Sequence, residues 1–217
     1  MLKLIPNTLT LLRLMLAPVI AWLWWVSTQP MSEPAFYENW LRDAAGWRTA
    51  AAALFVVAAL TDLFDGMAAR AFNAHSKFGR LIDPIADKAL VGLPLIVIAL
   101  GMWSSSHPAW PIVAAAATII VIRDIGMTIL RLVSPDGEGA RVSPLAKIKT
   151  ALELIVIGSL FVITAILSQL RANDPTSSSV IPGAQVIEVA WLALLVVAAA
   201  LSAYTAFQYL TAKRRAS

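Results

Sequence analysis

Residues 89–122 contain no Asp, Glu, Lys or Arg. One helix needs only about 20 apolar residues to cross a hydrocarbon core, and a lipid-exposed chain there must be a helix or a closed barrel. His107-Pro108 divides the run, so it reads as two spans. Leu14–Ser32 is also uncharged; extended back to about Thr8 it forms a first span with Arg13 inside it. Thr49–Thr61 is uncharged but too short, and crosses only if its helix continues past Asp62 and Asp65. Ala151–Leu170, with Glu153 near its start, and Val189–Ala212 complete the set. The expectation is an all-α polytopic membrane protein forming a single domain over 1–217. Its six helices lie near 8–27, 48–71, 83–104, 109–133, 147–170 and 186–211. No internal repeat is evident.

Composition excludes several classes. Hydrophobic residues make up 59% and charged residues 14%, against about 45–50% and about 25% in soluble domains. That leaves no room for disorder or a nucleic-acid-binding tail. The chain has no cysteine, so disulfides and thiolate chemistry are absent. Basic residues accumulate at one set of helix ends: Lys3; Arg70, Lys77 and Arg80; Arg141, Lys147 and Lys149; Lys213–Arg215. The other set carries Arg42, Arg48 and Arg171. The positive-inside rule makes the first set cytoplasmic, with both termini inside. Arg13 and the lack of a small-residue cleavage site argue against a cleaved signal peptide. Residues 29–46 read as an outer segment along the membrane surface, and 172–183 as an outer loop. Trp22, Trp24, Trp25, Trp40 and Trp47 read as an interfacial belt. The Ala runs at 50–53, 114–117 and 198–200 read as close-packing faces.

The few charges inside or beside the spans carry the chemistry. Asp62 and Asp65 are three apart and Asp83 and Asp87 four apart, so each pair shares a helical face. A hairpin between Arg70 and Arg80 brings the pairs together. Four carboxylates in a partly dehydrated site need protonation or bound cations. Hard oxygen donors without His or Cys favour Mg²⁺, Mn²⁺ or Ca²⁺ over zinc. Gly66 and Gly79 permit close approach of a phosphate to backbone, and Arg70 can pair with phosphate through two donors.

Asp62-x2-Asp65-Gly66-x2-Ala69-Arg70-x8-Gly79-x3-Asp83-x3-Asp87 fixes eight residues over 26 positions. It is similar at every fixed position to the signature of the CDP-alcohol phosphatidyltransferase family. Ile5-Pro6-Asn7-Thr8-Leu9-Thr10 with Arg13 resembles the start of the phosphatidylglycerophosphate synthase branch. So do Arg123-Asp124, Leu130-Arg131, Ser143 and Lys147-Ile-Lys149-Thr150. Two positions depart from that branch, where many members have Glu in place of Asp124 and Gln in place of Glu153.

The resemblance implies transfer of a phosphatidyl group from CDP-diacylglycerol to an alcohol, with release of CMP. It implies two divalent ions, Mg²⁺ or Mn²⁺, held by Asp62, Asp65, Asp83 and Asp87, with Asp87 also the general base. It places Asn7, Thr10, Asp62, Gly66, Arg70, Lys77 and Gly79 around CDP. It further implies a homodimer in a bacterial inner membrane, working among membrane lipids with its active site facing the cytoplasm. An Asp is ionised at neutral pH, as a base requires, and a carboxylate in reach of the alcohol can take its proton. Only His75 and His107 offer imidazoles.

Arg123, Arg131, Arg141, Ser143 and Lys147 form a group suited to the phosphate of an anionic acceptor such as glycerol 3-phosphate. Arg123 and Arg131 are eight apart, on roughly one helix face. Positive-inside topology, or pairing of Arg123 with Asp124 or Glu153, accounts for the same residues. The Arg-Asp pair is also similar to cardiolipin synthases that use phosphatidylglycerol, and inositol phosphates are anionic too, so the acceptor stays open. For Arg13, a carboxylate partner, a lipid phosphate and an outward-reaching conformation are all open. A divalent-cation transporter would distribute acids along a path through the membrane. Here the signature acids gather at one end.

Overall fold

The computed structural model describes residues 5–29, 37–72, 77–133, 144–173 and 183–216. Among these residues there are six α-helices and no strand: α1 Ile5–Thr28, α2 Tyr37–Phe72, α3 Lys77–Ser104, α4 Trp110–Val133, α5 Pro144–Asn173 and α6 Ala184–Ala216. Each contains a segment long and apolar enough to cross a membrane.

Hydropathy located the spans but not the helix ends. α2 begins at Tyr37, so the second half of the expected surface segment at 29–46 is already part of the spanning helix. At 36 residues, α2 is about 54 Å long, well beyond the roughly 30 Å hydrocarbon core. Residues 37–47 are polar enough for water and contain no proline to stop the helix. Residues 30–36 and 174–182 lie outside the described set.

The turn between α3 and α4 forms where His107-Pro108 predicted a break. The His107 N–H donates to Met102 O at 2.9 Å and the Ser106 N–H to Trp103 O at 3.0 Å. Ser106 takes the left-handed conformation at φ 54°. This paired arrangement satisfies the last carbonyls of α3, and Pro108 then prevents its continuation. Pro18, Pro84 and Pro94 sit inside helices, as spanning helices allow when neighbours re-satisfy the freed carbonyl.

The helices close into a ring. α1 packs on α2 and α3, α3 on α4, α4 on α6, α6 on α5 and α5 on α2, with α5 also reaching α3. Small residues line the inside, including Ala17, Ala51, Ala52, Ala116, Ala117, Ala198 and Ala199. Two alanines of each expected Ala run therefore pack inward, letting backbones approach. Large apolar side chains such as Met15, Ile122 and Ile155 are exposed, as suits a lipid-facing surface.

An aromatic cluster fills the middle. Phe55 and Phe161 are fully buried, with ring centroids 5.2 Å apart, and Trp24 packs edge-on to Phe161 at 4.7 Å. Trp24 is thus a core residue rather than part of an interfacial belt. Trp22 and Trp47 are exposed and pair edge-to-face at 6.0 Å. The Trp40 side chain lies outside the described set.

Gly158 lets Phe55 approach, since a Cβ there would lie 3.1 Å from Phe55 Cε1. Gly158→Val is expected to destabilise the fold by about 1–3 kcal/mol through overpacking. Gly46, which has open space around it, should tolerate Ala with a gain of up to about 1 kcal/mol. Apparent melting temperatures of the two variants in detergent check the contrast.

Candidate active site

Every helix contributes a polar side chain to one end of the ring. α1 brings Arg13, whose side chain is 3% exposed. A guanidinium so placed needs an anion, and two carboxylates answer it. Arg13 Nη1 donates to Asp62 Oδ1 on α2 and to Asp87 Oδ1 on α3 at 2.7 Å. Of the three roles open to Arg13 in the sequence, pairing with carboxylates is the one the fold adopts. Asp62 and Asp87 remain about one-third exposed (34% and 36%), so the carboxylates can be reached from outside while Arg13 cannot. Thr10, one turn before Arg13, is also buried.

Asp87 and Lys88 are consecutive, so their side chains diverge by about 100° around α3. Asp87 meets Arg13, whereas Lys88 Nζ lies 2.9 Å from Asp124 Oδ2 on α4. Asp124 is 3% exposed and gathers two further cations. Lys149 Nζ on α5 donates to its Oδ1 at 2.6 Å, and Arg123 Nη1 to the same oxygen at 2.8 Å. Lys149 also pairs with Glu153 Oε2 at 2.8 Å, both side chains fully buried. Arg123 Nη2 donates to Thr205 Oγ1 on α6 at 3.0 Å.

The result is two adjoining clusters of opposite excess charge. One sets Arg13 against two carboxylates. The other sets Lys88, Arg123 and Lys149 against two carboxylates. The two positions that departed from the branch pattern, Asp124 and Glu153, are both partners of Lys149.

Of the sequence-derived site residues, the fold brings together Asp62 and Asp87 through Arg13, and Thr10 lies one turn before Arg13 on α1. Arg123 lies in the second cluster. Asn7, Asp65, Gly66, Arg70, Lys77, Gly79, Asp83, Arg131 and Lys147 fall within helices, but their surroundings lie outside the described set, as do Arg141 and Ser143 altogether. Among the described residues no three His, Cys, Asp or Glu form a metal-ligating group. Lys88 was not singled out by sequence reading. Its signal was a lysine one residue past the signature, at the mouth of an uncharged span.

Comparison with known proteins identifies the family. Residues 3–202 match the CDP-alcohol phosphatidyltransferase family. The chain belongs to that family. It is 30% identical to the CDP-diacylglycerol–glycerol-3-phosphate 3-phosphatidyltransferase of Escherichia coli, over 97% of this chain and 94% of that protein. It is 37% identical to the similarly named Cereibacter sphaeroides protein, over 75% of this chain and 65% of the relative. A probable phosphatidylglycerophosphate synthase of Mycobacterium tuberculosis is 35% identical, over 72% of this chain and 65% of that protein. The chain thus matches just under two thirds of the length of the Cereibacter and Mycobacterium relatives.

Lys149→Met leaves Asp124 and Glu153 without their shared cation. The expected cost is about 3–5 kcal/mol, as for removing one partner of a buried pair. Adding Glu153→Gln should recover part of it, because the stranded charge goes as well. Melting temperatures of single and double variants provide the check, and a double variant no more stable than the single would contradict the pairing.

Proposed function

We propose that the protein transfers the phosphatidyl group of CDP-diacylglycerol to glycerol 3-phosphate, giving phosphatidylglycerophosphate and CMP. The observation that carries this reading is the contact of an acid-rich cluster with a cation-rich one across Asp87-Lys88. The first suits a nucleotide pyrophosphate with divalent counter-ions, the second an anionic acceptor. The names of the relatives in Escherichia coli and Cereibacter sphaeroides support the same acceptor.

The donor set fits Mg²⁺ or Mn²⁺. Oxygens of Asp62 and Asp87 converge on one cationic nitrogen of Arg13, and hard carboxylate oxygens suit these ions. Asp62 and Asp87, with Asp65 and Asp83 by family resemblance, would hold two ions. Such ions, when bound, neutralise pyrophosphate charge and polarise phosphorus.

The chain's own residues do the rest. Asp87 takes the proton of the acceptor hydroxyl. That oxygen bonds to the phosphorus of the phosphatidyl group as the bond to the CMP oxygen breaks, and CMP leaves with the electron pair. Asn7, Thr10, Gly66, Arg70, Lys77 and Gly79 seat the CDP portion. Arg123, Arg131, Arg141, Ser143 and Lys147 attract the acceptor phosphate. In the fold Arg123 bonds Asp124 and Thr205, which holds it in place at this end of the bundle. The basic helix ends support a bacterial inner-membrane location with this end facing the cytoplasm. A homodimer is carried into the proposal by the family resemblance.

Purified protein with CDP-diacylglycerol and Mg²⁺ or Mn²⁺ tests the reading. CMP should appear with glycerol 3-phosphate, and not with phosphatidylglycerol or inositol phosphate in its place. Release with one of those acceptors alone would reassign the substrate. Asp87→Asn should lower turnover about 10²–10⁴-fold, the span of a general base, while CDP-lipid binding is largely kept. Full activity in that variant would overturn the base assignment.

A further inference from the structure

At the opposite end of the ring, Arg48 projects from α2 inside its apolar span. It lies 14 residues from Asp62, about 21 Å along the helix, well away from the candidate active site. Among the described residues its guanidinium is held by neutral groups alone. Nη1 donates to Ser168 Oγ at 2.8 Å, Nη2 to Ser27 O at 3.2 Å and Nε to Ser27 Oγ at 3.4 Å. Both serines are buried. Among the described residues no carboxylate forms an ion pair with Arg48. Arg48 is half-buried, whereas the arginine and the lysine described as buried, Arg13 and Lys149, both pair with acids. Arg171 lies close enough to add like charge.

Arg48 lines a cavity of about 390 Å³, within the range of ligand sites, about 300–1,000 Å³. Thr28, Ser105, His107 and Glu188 are among its polar lining residues, and the buried Trp24 and Trp191 with Leu160 give it an apolar floor. Glu188 already faces His107, with Nε2 and Oε1 3.6 Å apart. A guanidinium out of water needs an anion, and its planar fork suits phosphate. A hydrated inorganic ion gains nothing from an apolar floor, whereas an alkyl chain gains by covering it.

We propose that this cavity binds an anionic phospholipid, its phosphate paired with Arg48 and one alkyl chain laid on the Trp24–Leu160–Trp191 floor. Glu188 at the rim disfavours a second negative charge in the headgroup, so a singly charged lipid fits best. The site stands apart from the transferase reading and does not depend on it.

Delipidated protein in neutral detergent is titrated with phosphatidylglycerol, phosphatidylcholine or inorganic phosphate. Bound lipid is read by native mass spectrometry and stability by apparent melting temperature. Wild type should retain phosphatidylglycerol in preference to phosphatidylcholine, and excess CDP-diacylglycerol should not displace it. Arg48→Gln should lower that affinity about tenfold or more, the loss expected of one charge-assisted pair. Arg48→Lys, which keeps the charge without the fork, should fall between the two and serves if Arg48→Gln does not fold. Equal retention by wild type and Arg48→Gln, equal retention of the two lipids, or displacement by CDP-diacylglycerol would each overturn the proposal. Stabilisation by inorganic phosphate equal to that by phosphatidylglycerol would also overturn it, making this a free-anion site.

Discussion

Arg13 sits in an apolar span with almost no exposure, and two other helices satisfy it. Lipid tails are as apolar as the helices, so burying apolar surface does little to choose one helix neighbour over another. Charge does choose. The guanidinium on α1 requires anions, and α2 and α3 supply one carboxylate each. A single-residue error in the register of either helix turns its carboxylate by about 100° and leaves Arg13 uncompensated. The pairing therefore fixes the rotation of α2 and α3 against α1. Those two helices also carry both halves of the aspartate signature, so the interaction that orders the bundle also brings the signature together.

The second cluster extends this order around the ring. Lys88 turns away from Arg13 because it follows Asp87, and it meets Asp124. Asp124 in turn ties α3 to α4 and α5, and Arg123 reaches α6 through Thr205. A carboxylate shared by three cations binds them firmly but leaves excess positive charge behind it. The proposed pairing of an anionic acceptor with a metal-binding acid pair requires that asymmetry, and charges of one sign alone would serve only one of the two substrates.

Much of this was legible in the residues. Uncharged stretches located six spans because apolar length is what a bilayer demands. Helix ends were less legible, since hydropathy reports where lipid stops rather than where hydrogen bonding stops; α2 runs on from Tyr37 through polar residues. Trp22, Trp24 and Trp25 read alike in a row, but successive residues face different directions, and only the fold shows Trp24 against Phe161. Asp62 and Asp87 were legible because their spacing is distinctive. Lys88 was not, because a lone lysine near a span end looks the same whether it meets water or a buried aspartate; Lys149 stood in the branch-like Lys147–Thr150 run, but its burial between Asp124 and Glu153 comes only from the fold. Arg48 was read as a topology signal, and its neutral partners come from helices far apart in sequence.

Glu153 shows how finely the second cluster is balanced. A Lys followed by Glu four residues on is the weaker order for helix stability, so the pair contributes little to α5 itself. Its carboxylate is buried and Oε1 has no hydrogen-bond partner among the described residues, a cost that local helix energetics cannot offset. The compensation lies across helices. Lys88, Arg123 and Lys149 share one carboxylate in Asp124, and without Glu153 the fully buried Lys149 would have to compete with both for it. With Glu153 beside it, Lys149 has a partner of its own, and Asp124 can hold Lys88 and Arg123 close to the carboxylates of the signature. A residue that contributes little to its own helix is thus the one that keeps the cationic side of the site in order.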